Sequence, residues 1–158
     1  MGTGKSITPS GIEQVDVRGP RFAAWITTGV LAAALAVSAV SPVTAATILA
    51  AQAAIFAISA VRGPRNSPYG LIFAKLIAPR LGPVAEREPV QPLKFAQLVG
   101  LVFAVVGVVG FGTGLWLLGV IATSFALFAA FLNAAFGICL GCRLYPLVAR
   151  FRRANPAR

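Results

Sequence analysis

The sequence predicts an all-α integral membrane protein: four transmembrane helices in two hairpins, with a short interfacial helix between spans two and three. Three observations carry this expectation. Hydrophobic residues make up 58% of the 158 and charged residues only 11%, where a soluble domain carries about 25% charged. The mean hydropathy is +0.83. The charges are also segregated, with none from Phe22 to Val61 and none from Phe95 to Cys142. A helix needs about 20 residues at a rise of roughly 1.5 Å to cross the bilayer, so each uncharged run holds two spans.

The net charge of +10 is explained by where the charges lie. They fall in three segments: Met1 to Arg21, Arg62 to Lys94, and Arg143 to Arg158. The two other connections, around Ser41-Pro42 and around Gly112-Thr113-Gly114, carry none. Short loops rich in Lys and Arg stay cytoplasmic, so both termini and the central loop are expected on the cytoplasmic side of the membrane. The basic balance then reads as a topology signal with attraction to anionic lipid, and nucleic acid is not an expected partner. A secretory signal ending near Ala39 or Ala46 fits less well. The apolar stretch after Arg21 exceeds the usual signal core of about 7–15 residues, and a second span follows at once.

Taken in order, residues 1–17 are polar and expected to form a mobile tail. A single four-helix membrane domain follows over residues 18–150. Pro20 suits a first helical turn, and span one runs about 22–40, with Trp25 near the interface. Ser41-Pro42 turns the chain into span two, about 43–61. Both spans are rich in Ala, which permits close helix packing in lipid. Gln52 is the one strongly polar side chain at depth in span two and is expected to tie helices together. The loop 62–94 opens with turn-forming residues, Arg62 to Gly70. It then runs Leu71-Ile72-Phe73-Ala74-Lys75-Leu76-Ile77-Ala78, too short to span and too apolar for water, which predicts the interfacial helix. Residues 80–92 are Pro-rich and expected to be irregular. Span three runs about 95–109, with Gln97 and a small-residue face of Gly100, Gly107 and Gly110. Span four runs about 115–138 and carries Asn133, expected to hydrogen-bond between helices. A basic tail ends the chain at 151–158.

Chemistry concentrates near the end of span four, where the only two cysteines, Cys139 and Cys142, lie three apart. On a continuing helix they would share one face at a spacing a disulfide accepts. Gly137 and Gly141 would open a path to the sulfurs, and Pro146 would kink or end the helix. Arg143 would stabilise a thiolate, while a helix C-terminus would oppose it. Cys142, nearer water and beside Arg143, is expected to attack, with Cys139 one turn deeper resolving. On a cytoplasmic side the pair is expected to rest as a dithiol. Two thiolates also suit a soft metal ion. With no His in the chain, neither a complete zinc site nor a nucleophile–base pair is visible, so no cofactor is expected and an autonomous enzyme is not. Two small buried hydrophobes is the bland alternative.

The run Phe136-Gly137-Ile138-Cys139-Leu140-Gly141-Cys142-Arg143-Leu144-Tyr145 resembles the signature of bacterial membrane proteins grouped as domain-of-unknown-function family 4395. Asp16-Val17-Arg18-Gly19-Pro20-Arg21, Gly63-Pro64-Arg65-Asn66-Ser67-Pro68-Tyr69-Gly70 and Lys94-Phe95-Ala96-Gln97 are further landmarks in the family's order. The motif maps onto Gly137, Cys139, Gly141, Cys142 and Tyr145, and Pro146 departs from it. The resemblance implies a four-helix inner-membrane protein often encoded near thioredoxin-like or sulfurtransferase proteins, which are its candidate partners, and it brings no established activity. The leading expectation is therefore a thiol-redox or sulfur relay through Cys139 and Cys142. One alternative is a small permease subunit for a soft metal or sulfur species, with Gln52, Gln97 and Asn133 lining its path. The other is a membrane scaffold subunit. The oligomeric state is not legible.

Overall fold

The computed structural model describes residues 11–154; the outer parts of the two expected tails lie outside these. Its long helices are α1 (Arg18–Ser38), α2 (Pro42–Arg62), α4 (Val90–Gly112) and α5 (Trp116–Phe136), each long and apolar enough to cross a membrane. Between α2 and α4 lies α3 (Pro68–Ile72), which continues as one wider turn (Phe73–Ile77) and a tight one (Ala78–Arg80). After α5 the chain forms α6 (Leu140–Ala154), and two short strands, β1 (Gln14–Asp16) and β2 (Arg87–Pro89), complete the set. The protein is thus an all-α membrane protein with four spans, as its hydropathy pattern predicts.

The spans close into a ring, α1 on α2, α2 on α4, α4 on α5 and α5 back on α1. The half remote from the basic segments is filled by Leu31, Ala34, Ala45, Leu49, Phe111 and Ala126. In lipid such a cluster holds by close van der Waals contact rather than by exclusion of water. The expected small-residue face of α4 is used in this way. Gly100 meets the Phe56 ring, Gly107 meets Leu49, and Gly110 meets the backbone at Gly119. At the same end Ser41 caps α2 by accepting the Thr44 N–H at 3.3 Å, with Pro42 as the first helical residue. The Trp116 indole N–H donates to the Ser38 carbonyl at 3.2 Å, tying α5 to α1.

All three basic segments meet at the opposite end. β1 and β2 pair antiparallel, with Gln14 opposite Pro89, Val15 opposite Glu88 and Asp16 opposite Arg87. This ribbon replaces the mobile tail and irregular loop expected there. The sequence signal for it is weak because each strand is three residues long. Arg18 locks it by donating to both Asp16 carboxylate oxygens at 2.7–3.0 Å and to the Gly82 carbonyl at 3.2 Å. Lys94 donates to the Val61 carbonyl at 2.8 Å, closing the C-terminus of α2.

Boundaries differ from expectation in physically simple ways. α4 starts at Val90, five residues early, because Pro92 is tolerated in a first turn. α5 stops at Phe136, two residues early, and the basic tail is helical to Ala154. The interfacial segment leaves Leu71, Ile72 and Leu76 exposed and turns Phe73 inward onto Phe22, the pattern of a helix lying at a membrane surface.

Candidate functional site

The site begins where α5 ends. Gly137 takes a left-handed conformation, φ 67°, which glycine adopts without steric cost. Its N–H bonds the Asn133 carbonyl at 3.1 Å, and the Ile138 N–H bonds that of Leu132 at 3.2 Å, so the last carbonyls of α5 are satisfied by the turn. A methyl on Gly137 would sit 3.7 Å from the guanidinium carbon of Arg21, which places a cation over the negative end of the helix.

The chain then restarts as α6, and Cys139 is the residue just before its first turn. Its carbonyl accepts the Arg143 N–H at 3.1 Å, and its sulfur accepts the Cys142 N–H at 3.2 Å. Sulfur therefore stands where a Ser, Thr or Asp oxygen ordinarily caps a helix. Cys139 and Cys142 are joined as a disulfide, with Cα atoms 5.2 Å apart. This corrects three expectations. The cysteines do not continue span four, because Gly137 breaks it. The helix end beside them is an N-terminus, whose dipole favours a thiolate rather than opposing it. The pair is bonded rather than a free dithiol.

The motif glycines also change meaning. A Cβ on Gly141 would lie 2.6 Å from both Cα and Cβ of Ala96, so Gly141 opens no path to the sulfurs. It is the point where α6 rests on the backbone of α4. Tyr145, one turn on, packs against Phe95 with ring centroids 6.1 Å apart. Pro146 lies inside α6 without ending it. Cys142 packs against Val15, Val90 and Leu93 beneath the ribbon, and Arg143 is exposed.

Cys139 faces elsewhere. It forms part of the wall of an open cavity of about 250 Å³ between α1, α2, α4 and α5, bordered as well by the Tyr69 segment and the start of α6. Gln52, Gln97 and Asn133, singled out from sequence, all line it as well. Gln52 ties three elements, donating to the Thr27 hydroxyl at 3.5 Å and accepting the Tyr69 hydroxyl at 2.8 Å. Gln97 and Asn133 make no side-chain hydrogen bond among the described residues, so Asn133 is not the interhelical tie expected of it.

Tyr69 is the site residue that sequence reasoning missed. The segment that places it is a tight knot, in which the Ser67 hydroxyl donates to the Pro64 carbonyl at 2.6 Å and accepts the Gly70 N–H at 3.0 Å. Any side chain on Gly70 would strike the Pro64 and Arg65 carbonyls. The available signal was a lone tyrosine in that constrained turn and the one glutamine at depth in span two. Burial pushes the Tyr69 phenol up from its ordinary range, keeping it a neutral donor. Outside the cavity, burial would raise Asp16, but its bonds to Arg18 outweigh this and hold it low. Glu88 is raised by burial and by Glu86, against the pull of Arg21.

Among the described residues no three His, Cys, Asp or Glu side chains cluster as metal ligands. No curated protein and no solved structure matches the chain. The profile of the domain of unknown function DUF4395 matches residues 15–150, a stretch running from β1 into α6 that includes the ribbon, the Tyr69 knot and the cysteine motif, and the chain belongs to that family.

Proposed function

We propose that the protein is a thiol relay of the bacterial plasma membrane, with both termini and the cysteine pair on the cytoplasmic side. Its partner is a soluble thioredoxin-like dithiol protein. The partner's thiolate attacks the Cys139 sulfur, and Cys142 leaves with the bonding electron pair. The partner's second thiol then attacks its own first sulfur and displaces the Cys139 thiolate. The partner ends as a disulfide, and Cys139 and Cys142 end as a dithiol. Cys139 rather than Cys142 is the exchanging sulfur, which reverses the expectation from sequence. The protein acts with a partner rather than as an autonomous enzyme.

The observation that carries this reading is the disulfide at the start of α6, with the Cys142 N–H aimed at the Cys139 sulfur at 3.2 Å. A pore for a soft metal or sulfur species is the weaker reading, because Leu31, Leu49 and Phe111 fill the far half of the bundle. Thiol trapping in intact cells tests the relay. In Cys142→Ser, Cys139 should accumulate a mixed disulfide with a thioredoxin-like protein, and Cys139→Ser should form none. A wild-type pair that never changes redox state, with no adduct in either variant, would leave a scaffold role in its place.

A further inference from the structure

A relay that takes two electrons from a soluble dithiol has to pass them on, and the cavity behind Cys139 has the properties of the next acceptor's site. It contains no charged side chain, so it does not suit a metal cation or an anionic sulfur species. Its wall is mostly apolar and includes several alanines and the rings of Phe56, Phe103, Phe125 and Phe128. Phe125 and Phe128 are 59% and 58% exposed on the face that meets lipid, so the cavity borders the bilayer laterally. Roughly 150 Å³ of apolar space is enough for a benzene ring. About 250 Å³ therefore takes a substituted ring whose lipid tail stays outside.

Polar groups converge on this space. Asn133 is three residues from the end of α5 and Gln97 is seven from the start of α4, about 5 and 10 Å along their helices. Among the described residues neither side chain has a hydrogen-bond partner, and both can donate to a carbonyl oxygen. Gln52 and Tyr69 are already bonded to each other and form the floor. The fitting ligand is neutral, lipid-borne, ring-sized, bears carbonyl acceptors and takes up two electrons.

We propose that this cavity binds a quinone headgroup and that the reduced Cys139–Cys142 pair hands its electrons to it. The proposal rests on the relay reading above and extends it. The Cys139 thiolate adds to a ring carbon beside one carbonyl, and the ring electrons pass to the opposite carbonyl oxygen, which takes one proton. The sulfur then sits on a tetrahedral carbon of a ring that still holds one C=O. The Cys142 thiolate then attacks the Cys139 sulfur, forming the S–S bond and breaking the S–C bond, whose electron pair and a second proton complete the quinol. Two thiols and one quinone become one disulfide and one quinol.

The test uses full-length protein, reduced and freed of lipid quinone in detergent, with a decyl-substituted benzoquinone as the probe. Loss of quinone absorbance should match disulfide formed, one for one. Cys142→Ser should gain the mass of one quinone on Cys139. Asn133→Leu and Gln97→Leu should each slow the reaction about tenfold at low quinone, as losing one buried hydrogen bond allows, while diamide still forms their disulfide. A wild-type pair that exchanges with the thioredoxin-like protein but leaves quinone untouched overturns this proposal alone. So does a quinone rate unchanged in the combined Asn133→Leu, Gln97→Leu variant, because the sulfurs would then be reacting from solvent. A pair inert to both thioredoxin-like protein and quinone overturns the relay itself.

Discussion

The backbone N–H of Cys142 donates to the sulfur of Cys139 across 3.2 Å, so the amide that would cap a helix through an oxygen here points at a sulfur. Once the disulfide is reduced, the same amide and the positive end of the α6 dipole remain in place for a thiolate on Cys139. Among the described residues no N–H donates to the Cys142 sulfur, which packs beneath the ribbon against Val15, Val90 and Leu93, where burial disfavours its charged form.

The order of ionisation follows. In membranes, the Cys142→Ser variant, which keeps Cys139, should react with a soluble maleimide at lower pH than Cys139→Ser, which keeps Cys142. At neutral pH the rates should differ by several-fold or more, as thiolates at helix N-termini do. Rate-against-pH curves on the two variants check this, and a lower midpoint for Cys142 would reverse the assignment of attacking sulfur.

Most of the bundle was legible because lipid imposes a length and a charge code that a single sequence displays. The runs Phe22 to Val61 and Phe95 to Cys142 fixed four spans, and the basic segments placed their ends together. The polar residues Gln52, Gln97 and Asn133 stood out because they interrupt apolar runs, and they share one cavity. What was not legible depended on one backbone angle or on contacts distant in sequence. Gly137 in an apolar run reads equally as a packing glycine or as a helix end, and only its positive φ makes Cys139 a cap. Gly141 meets Ala96 from 45 positions away in the chain, which no local pattern announces. The pairing of Val15 with Glu88 is equally silent, since three-residue strands carry no readable alternation.

The contact of Gly141 with Ala96 gives a second test. A side chain at 141 must push α6 away from α4, because the atoms it would meet are backbone and Cβ rather than a flexible side-chain end. Gly141→Ala should cost about 1–3 kcal/mol, the range for overpacking a tight contact, and Gly141→Val more. Thermal unfolding in detergent measures the loss. Moving the start of α6 should also slow reoxidation of the Cys139–Cys142 pair, whereas Leu147→Ala, at an exposed position of the same helix, should leave both readouts near wild type. Equal effects from the two helix substitutions would mean that Gly141 does not fix the position of α6.

The ribbon over Cys142 carries two carboxylates shifted in opposite directions, so its stability should peak in mildly acidic solution. Asp16 is held below its ordinary 3.8, burial being outweighed by its bonds to Arg18 and by the charges of Arg18 and Arg87. Its contribution is present above that ordinary value and is lost as pH falls through its lower folded value. Glu88 is raised above its ordinary 4.5, by burial first and Glu86 second, with Arg21 opposing. Its contribution is complete below 4.5 and is lost as pH rises through the higher folded value. Glu88→Gln should therefore stabilise the protein at neutral pH, by about 0.5 kcal/mol on the scale of a screened, half-exposed interaction. The gain should vanish as pH drops below 4.5. Asp16→Asn should destabilise at neutral pH, with the difference closing only in stronger acid. Unfolding midpoints measured from pH 3 to 8 on the two variants and wild type separate the effects. A Glu88→Gln variant that is no more stable than wild type at pH 7 would mean that Arg21, rather than burial and Glu86, decides the state of Glu88.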